Sequence, residues 1–447
     1  MCQGSARPDV KSSEMQYYST SNKELRSGLR EAVMRGLAPD RGLYMPRTIP
    51  VLSRRTLEGF REMDLSGIAL EVGRALFGED IPEADLKEIT GEAINFDTPL
   101  VQVEEGLHAL ELFHGPTLAF KDVGARFLAR LLGYYTRDLE QNIDVLVATS
   151  GDTGSAVANG FLGVEGIRVH VLYPSGGVTP LQEKQFTTLG HNITALEVQG
   201  TFDDCQRLVK QAFMDKDLAE RRTLTSANSI NLARFLPQAF YYFRGWAQLE
   251  PGIRAFFSVP SGNYGNMTAG LVAREMGLPV HTFLSVNNLN DVVASYLLTG
   301  DFRPRPSTPT IANAMDVGDP SNFERVLDLF DHRYEWIIQH MHGYSYTDTE
   351  IREIIGRVYR QTGYLCDPHG ATGCQAARSF REEHPGLTGI FLETAHPAKF
   401  RETVEEVIGE TVELPERLAA FSKGTKVSVP ITPDFEVFKD YLRNLGD

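Results

Sequence analysis

The period of the apolar positions changes near residue 96. Before it, apolar residues recur at helical spacing: Leu25, Leu29, Ala32 and Val33 within 23–35, then Ile68, Ala69, Val72, Ala75 and Leu76 within 55–95. The turn Pro39-Asp40-Arg41-Gly42 breaks the chain between them. The pattern predicts a mostly helical N-terminal unit over residues 1–95. Within it, residues 1–14 read as a disordered polar tail, with order beginning near Met15.

From residue 96 onward, short apolar runs alternate with helical patterns. The runs are Ile143–Ala148, Ile167–Leu172, Ile193–Val198, Ala255–Val259, Val280–Leu284 and Ile390–Leu392. Between them lie helical stretches such as Val123, Phe127, Leu128, Leu131, Leu132 and Tyr135. Strands separated by helices predict an α/β chain with parallel sheets covered on both faces. Ligands in such sheets meet the carboxyl ends of strands, where turns open into helices. The turns after the runs are therefore where chemistry is expected.

Composition narrows the function classes. The 447 residues suffice for about three structural units at roughly 150 residues each. Apolar residues make up 42 % and charged residues 23 %, as in soluble globular proteins. Lys and Arg number 44 against 59 Asp and Glu, a formal charge of −15. Such a chain is a poor non-specific partner for nucleic acid or an anionic membrane. An anionic substrate must then be met by a local cluster of donors. The four cysteines, Cys2, Cys205, Cys366 and Cys374, form no CxxC pair, which predicts free thiols in a reducing, cytoplasmic setting. No run approaches the roughly 18–20 apolar residues of a membrane span, and the N-terminus lacks an apolar signal core. His340 and His342 have no third ligand nearby, so no metal is expected. A nucleotide-binding dehydrogenase is disfavoured, because no GxGxxG follows a strand run and no GxxxxGK[ST] occurs.

Three turns carry candidate chemistry. Ile143–Ala148 runs into Thr149-Ser150-Gly151-Asp152-Thr153-Gly154-Ser155, which sets hydroxyls and amides at a helix N-terminus, a site for an anion. It is equally an ordinary helix start with Asp152 or Thr153 as N-cap. Ala255–Val259 runs into Pro260-Ser261-Gly262-Asn263-Tyr264-Gly265-Asn266 ahead of a helix at Met267–Met276, a better phosphate cradle because glycine admits close approach of the backbone. Lys121, in His114-Gly115-Pro116-Thr117-Leu118-Ala119-Phe120-Lys121-Asp122, opens an amphipathic helix. A desolvated lysine has a lowered pKa and can form imines.

Taken together and in this order, the strings FHGPTLAFKD, TSGDTGSA, ANSINLAR at 227–234, SGNYGN and ETAHPAKF at 393–400 resemble those of the threonine synthase family of fold-type-II pyridoxal-phosphate enzymes. GLAPDRGLYMP at 36–46 is similar to the longer subgroup of that family. The resemblance implies a two-lobed, tryptophan synthase β-like α/β fold with an added N-terminal domain. It places residues 96–125 and 236–447 in a large cofactor-binding lobe and 126–235 in a small lobe. It implies pyridoxal 5'-phosphate held as a Schiff base by Lys121, which then serves as the base that moves protons. It also implies O-phospho-L-homoserine and water as reactants, with threonine and phosphate as products.

The residue roles implied by the resemblance are as follows. Gly262, Asn263, Tyr264, Gly265 and Asn266 hold the cofactor phosphate, and Thr394 meets the pyridine nitrogen. Thr149, Ser150, Gly151 and Thr153 take the substrate carboxylate. Asp152 lends its backbone amide, bonds the cofactor hydroxyl, or caps the helix. Ser229, Asn231 and Arg234 take the substrate phosphate. His369 and His396 are read equally as packed histidines and as proton carriers, and receive no role. A phospho-lyase releasing keto acid and ammonia and a cofactor carrier without turnover remain the alternatives. The oligomeric state is left open.

Overall fold

In the computed structural model, residues 16–139 and 141–446 are described. The tail expected over 1–14, with Cys2, lies outside the described residues.

The N-terminal unit is not helical throughout. β1 (Tyr17–Ser19), β2 (Asn22–Ser27) and β3 (Tyr44–Pro46) form an antiparallel sheet in the order β2-β1-β3. The apolar spacing over 23–35 therefore joins two elements: Leu25 lies on β2, and only Leu29–Arg35 is helix. Gly28, in extended conformation, separates them. Farther on, Asp64 caps the helix Leu65–Phe77, which buries Ile68, Ala69, Val72 and Leu76 as their spacing predicts. This unit shares its core with the rest of the chain: the Phe77 ring lies 5.2 Å from Phe127, which is on the helix that begins at Lys121.

The remaining chain builds two sheets. β4 (Leu100–Glu104) and β5 (Leu107–Glu111) form an antiparallel hairpin. The chain then makes β6 (Ile143–Ala148), β7 (Ile167–Pro174), β8 (Ile193–Val198) and β9 (Thr223–Ser226), and next β10 (Ala255–Pro260), β11 (Val280–Asn287), β12 (Met341–Ser345) and β13 (Thr388–Glu393). It ends with β14 (Val429–Ile431) and the helix Phe435–Arg443. The larger sheet has the order β12-β11-β10-β13-β5-β4 and the smaller β14-β8-β7-β6-β9. Every pairing in these two sheets except β4 with β5 is parallel. β6 and β10 are buried at every position, which is why they read as unbroken apolar runs.

The smaller sheet takes in more of the chain than 126–235. β14 pairs with β8, and Phe438 and Leu442 pack in the same cluster as Leu196, Cys205 and Leu208. Residues 429–443 thus leave the 236–447 stretch expected in the larger lobe. In each sheet the strand order reverses at one place. β6 has β7 on one side and β9 on the other; β10 has β11 on one side and β13 on the other. Crevices for ligands open at such reversals. The loops after β6 and β10 are the two glycine-rich turns singled out in the sequence.

Candidate active site

A cavity of about 640 Å³ lies between the two sheets, and Lys121, Ser150, Thr153, Ser229, Arg234 and Thr394 are in its wall. Arg207 and Lys210 from the helix Phe202–Met214 and Arg305 from the larger lobe stand at its exposed rim, together with Asp203 and Asp319, and Arg207 and Arg305 are paired with Asp204 and Asp291.

The loop before Lys121 is tied from several sides. Thr117 donates its amide and its hydroxyl to the Asp122 carboxylate at 2.8 and 2.6 Å, and its carbonyl accepts from Gln185 and Lys399 at 3.1 and 2.9 Å. Lys121 then opens the helix Lys121–Thr136. Its Nζ lies 5.4 Å from the Phe120 ring centroid. Loss of hydration pushes the amine down to about 8; Asp152 opposes the shift, while Lys399 and Arg234 add to it.

After β10 the backbone turns with Tyr264 in the left-handed region, φ 63°. A non-glycine residue there is strained. The Tyr264 hydroxyl is pinned to Ser285 at 2.7 Å and to Asn287 at 2.9 Å, which holds the turn. Ser261 bonds to Val286, and the next five amides, Gly262 to Asn266, have no hydrogen-bond partner among the described residues. They stand at the start of the helix Gly265–Glu275, two residues earlier than the sequence suggests. A Cβ on Gly262 would lie 2.4 Å from the Ala314 carbonyl, so only glycine fits. Five free amides at a helix N-terminus suit a phosphate. The side chains of Tyr264 and Asn266 face inward: Asn266 donates to the Pro260 carbonyl at 2.8 Å.

The turn after β6 departs from the expected roles at Thr149 and Gly151, and of the three roles open to Asp152 it leaves only the backbone amide. Gly151, φ 143°, is the N-cap of the helix Asp152–Phe161 in place of Asp152 or Thr153. It is not in the cavity wall; a Cβ on it would meet Gln182 at 2.6 Å. The Thr149 hydroxyl is fully engaged, accepting from the Gly151 and Gly154 amides at 2.9 and 2.7 Å and donating to the Gly151 carbonyl at 3.1 Å. Asp152 is buried away from the cavity, its carboxylate 2.6 Å from Lys399 Nζ and 3.0 Å from Gln182 Nε2. Burial alone would raise its pKa; the Lys399 and Lys121 charges instead hold it well below the usual carboxylate range. The amides of Ser150, Asp152 and Thr153 have no partner among the described residues.

The substrate-phosphate set also divides. Asn231 is fully buried outside the cavity wall: it caps the helix Leu232–Phe235 and donates to the Val33 carbonyl at 2.8 Å. Arg234 lines the cavity, with Nε donating to the Ala227 carbonyl at 2.8 Å and Nη1 to the Lys121 carbonyl at 3.0 Å. Nη2 has no partner among the described residues. Burial pushes the guanidinium down to about 10, which leaves it cationic at neutral pH. The Thr394 hydroxyl lines the cavity with no hydrogen bond to the described residues, while its carbonyl accepts from the Phe120 amide at 2.9 Å.

His369 lines the cavity as a packed, hydrogen-bonded histidine, with Nδ1 on Asp367 and Nε2 accepting from the Ala314 amide at 3.1 Å. His396 caps the turn before Lys399, accepting from the Ala398 amide at 3.1 Å. Sequence reading missed the Asp152–Lys399 pair and the buried Asn322 and Arg325. For Lys399 the one local signal is its position between Ala398 and Phe400 after Pro397. Among the described residues Cys205, Cys366 and Cys374 are free and buried, and no helix is long and apolar enough to cross a membrane.

A lysine amine, a five-amide phosphate cradle and an unpaired hydroxyl on one cavity, at the reversals of two parallel sheets, fit pyridoxal phosphate. The pyridoxal-phosphate-dependent enzyme family model matches residues 93–390. The chain is a pyridoxal-phosphate-dependent lyase of fold type II. Models described as the threonine synthase N terminus and the threonine synthase C-terminal region match residues 16–94 and 370–442. Threonine synthase of Haemophilus influenzae is 43 % identical over 430 residues, covering 96 % of this chain and 99 % of that protein. The crystal structure of the Escherichia coli threonine synthase aligns with TM-score 0.90 and 40 % identity, covering 96 % of this chain and 100 % of that one. A PLP-bound threonine synthase from Brucella melitensis aligns with TM-score 0.90 and 34 % identity over 96 % of this chain and 99 % of that one. The chain belongs to the threonine synthase family.

Proposed function

We propose that the chain converts O-phospho-L-homoserine and water to L-threonine and phosphate. One observation carries the reading: a single cavity presents two separate helix N-termini with free amides, plus Arg234, around one lysine of lowered pKa. A cofactor that carries one phosphate needs one anion site. A substrate with a carboxylate and a second phosphate needs two more.

The amides of Gly262, Asn263, Tyr264, Gly265 and Asn266 hold the cofactor phosphate, Lys121 holds the cofactor, and the Thr394 hydroxyl meets its ring nitrogen. Bound pyridoxal phosphate supplies an electron sink for charge left on a substrate carbon. Ser150 and Thr153, with the Asp152 amide, take the substrate carboxylate. Ser229 and Arg234 Nη2 take the substrate phosphate and stabilise it as it departs. Once released, the Lys121 amine takes a proton from one substrate carbon and returns it at the next. With a pKa of about 8 it is roughly one-tenth neutral at pH 7, whereas an ordinary lysine is neutral only about once in several thousand.

The test is incubation of the holoenzyme with O-phospho-L-homoserine while phosphate, threonine, ammonia and keto acid are followed. Threonine and phosphate in equal amounts are expected. Phosphate accompanied by keto acid and ammonia, without threonine, makes the reaction a simple elimination. No phosphate release overturns the reading.

A further inference from the structure

Ser229 lies in the loop between β9 and the helix Leu232–Phe235, and it lines the cavity. Its Oγ accepts two hydrogen bonds, from Asn263 Nδ2 and from Asn322 Nδ2, each at 2.9 Å. Neither amide can be turned around. Asn263 Oδ1 accepts from the Ser321 amide at 2.6 Å, and Asn322 Oδ1 accepts from Arg325 Nη1. A hydroxyl has two lone pairs and one proton. With both lone pairs taken, what remains to Ser229 is its O–H.

Arg325 is fully buried and has no carboxylate partner among the described residues. Its donors go to oxygen atoms of the backbone and one amide: Nε and Nη2 to the Tyr44 carbonyl at 3.2 and 3.1 Å, Nη1 to the Ser229 carbonyl at 3.0 Å and to Asn322 Oδ1, and Nη2 to the Ile230 carbonyl at 2.7 Å. Its carbon centre lies 4.1 Å from the Phe235 ring centroid. A guanidinium offers five N–H donors, and all five are used. Burial without a counter-charge is costly, and it pushes this group down to about 9. A cation kept there at such cost fixes the carbonyls it binds: those of Ser229 and Ile230, and that of Tyr44 on β3 of the N-terminal unit. From the same unit the Val33 carbonyl holds Asn231 at the far end of this loop.

We propose that Asn322 and Arg325 are positioning residues that make Ser229 a one-way donor toward the departing phosphate, with the N-terminal unit as the buttress of that loop. The proposal rests on the substrate reading above. Asn322 acts through Ser229, and Arg325 acts through Asn322 and the two carbonyls.

The test uses the holoenzyme with Asn322→Asp, Ser229→Ala and the double variant. The carboxylate introduced by Asn322→Asp keeps the contact with Arg325 but offers Ser229 an acceptor, which turns the hydroxyl proton away from the cavity. The expected result is retained cofactor content with KM for O-phospho-L-homoserine and the inhibition constant of inorganic phosphate both raised about tenfold or more. In the double variant Ser229→Ala should add little, because the donor is already lost. A purely structural or purely repulsive effect of Asn322→Asp would instead add in full to that of Ser229→Ala, and this result overturns the proposal. Unchanged KM and phosphate inhibition in Asn322→Asp overturn it as well. If Asn322→Asp does not fold, Asn322→Ala, which removes the Nδ2 donor without adding charge or a new hydroxyl and so frees one Ser229 lone pair, carries the same cycle, and unchanged KM and phosphate inhibition there overturn the proposal too. Wild-type enzyme that turns over O-phospho-L-homoserine while the variants fail the cycle refutes the positioning role alone. Wild-type enzyme that does not turn it over refutes the substrate reading and this proposal with it.

Discussion

Lys399 Nζ lies 2.6 Å from the Asp152 carboxylate, and both side chains are buried. Lys399 also donates to the Thr117 carbonyl, and Gln182 donates to Asp152. The pair thus joins the turn after β6 to the loop that carries Lys121 and to the segment after β13. Its charges act on Lys121 with opposite sign: Asp152 favours the ammonium form, and Lys399 disfavours it.

This opposition predicts a pH dependence. Capture of pyridoxal phosphate by the apoprotein needs the neutral Lys121 amine. Its rate should rise about tenfold per pH unit below the amine pKa of about 8 and level off above it. Asp152→Asn removes the charge that raises the amine pKa, so the break should move to lower pH. Lys399→Met removes a charge that lowers it, so the break should move to higher pH. Stopped-flow absorbance across pH 6–10 measures both. Shifts of the same sign in the two variants would contradict the arrangement.

Thr394 offers the cavity a hydroxyl with no partner among the described residues. Thr394→Val keeps the shape and removes the hydroxyl. The holoenzyme should keep its cofactor, show a shifted cofactor absorption band and turn over more slowly. A wild-type spectrum and rate would place Thr394 away from the ring.

Phe77 links the N-terminal unit to the Lys121 helix through Phe127. Both rings are fully buried. Phe77→Ala should cost about 3–5 kcal/mol, the range for buried aromatic truncation. Urea unfolding followed by circular dichroism reads it. A loss under about 1 kcal/mol would mean that this contact is not part of a shared core.

What was legible in the sequence follows from burial. β6, β7, β8, β10, β11 and β13 stand inside parallel sheets and read as apolar runs. β12 is an edge strand of sequence MHGYS with only Met341 buried, and β14 is three residues long. Neither leaves an apolar run to read. β1, β2 and β3 are short, and Leu25 happened to continue the helical spacing of the next element. At the site, glycine patterns marked both turns because backbone geometry demands glycine there. They did not tell which side chains face the cavity. Thr149 and Asn231 spend their polar groups on neighbouring backbone, which depends on loop geometry. The pairing of Asp152 with Lys399 joins residues far apart in the chain, and no local pattern encodes it.

Arg234 has two tasks in one side chain. Nη1 holds the Lys121 carbonyl, and Nη2 has no partner among the described residues at the cavity. Arg234→Ala should therefore damage more than substrate affinity. Loss of a charged hydrogen bond to the substrate phosphate costs about 1.5–3 kcal/mol, roughly ten- to a hundredfold in kcat/KM. Release of the Lys121 carbonyl should lower kcat in addition, because the amine that moves the proton loses its support. Arg234→Lys should recover part of KM, since the charge returns, and little of kcat, since one ammonium cannot serve the Ala227 carbonyl, the Lys121 carbonyl and the phosphate at once. Steady-state kinetics, beside a cofactor titration, separates the two effects. If Arg234→Ala keeps normal KM and loses pyridoxal phosphate instead, Arg234 serves the cofactor and the substrate phosphate lies elsewhere in the cavity.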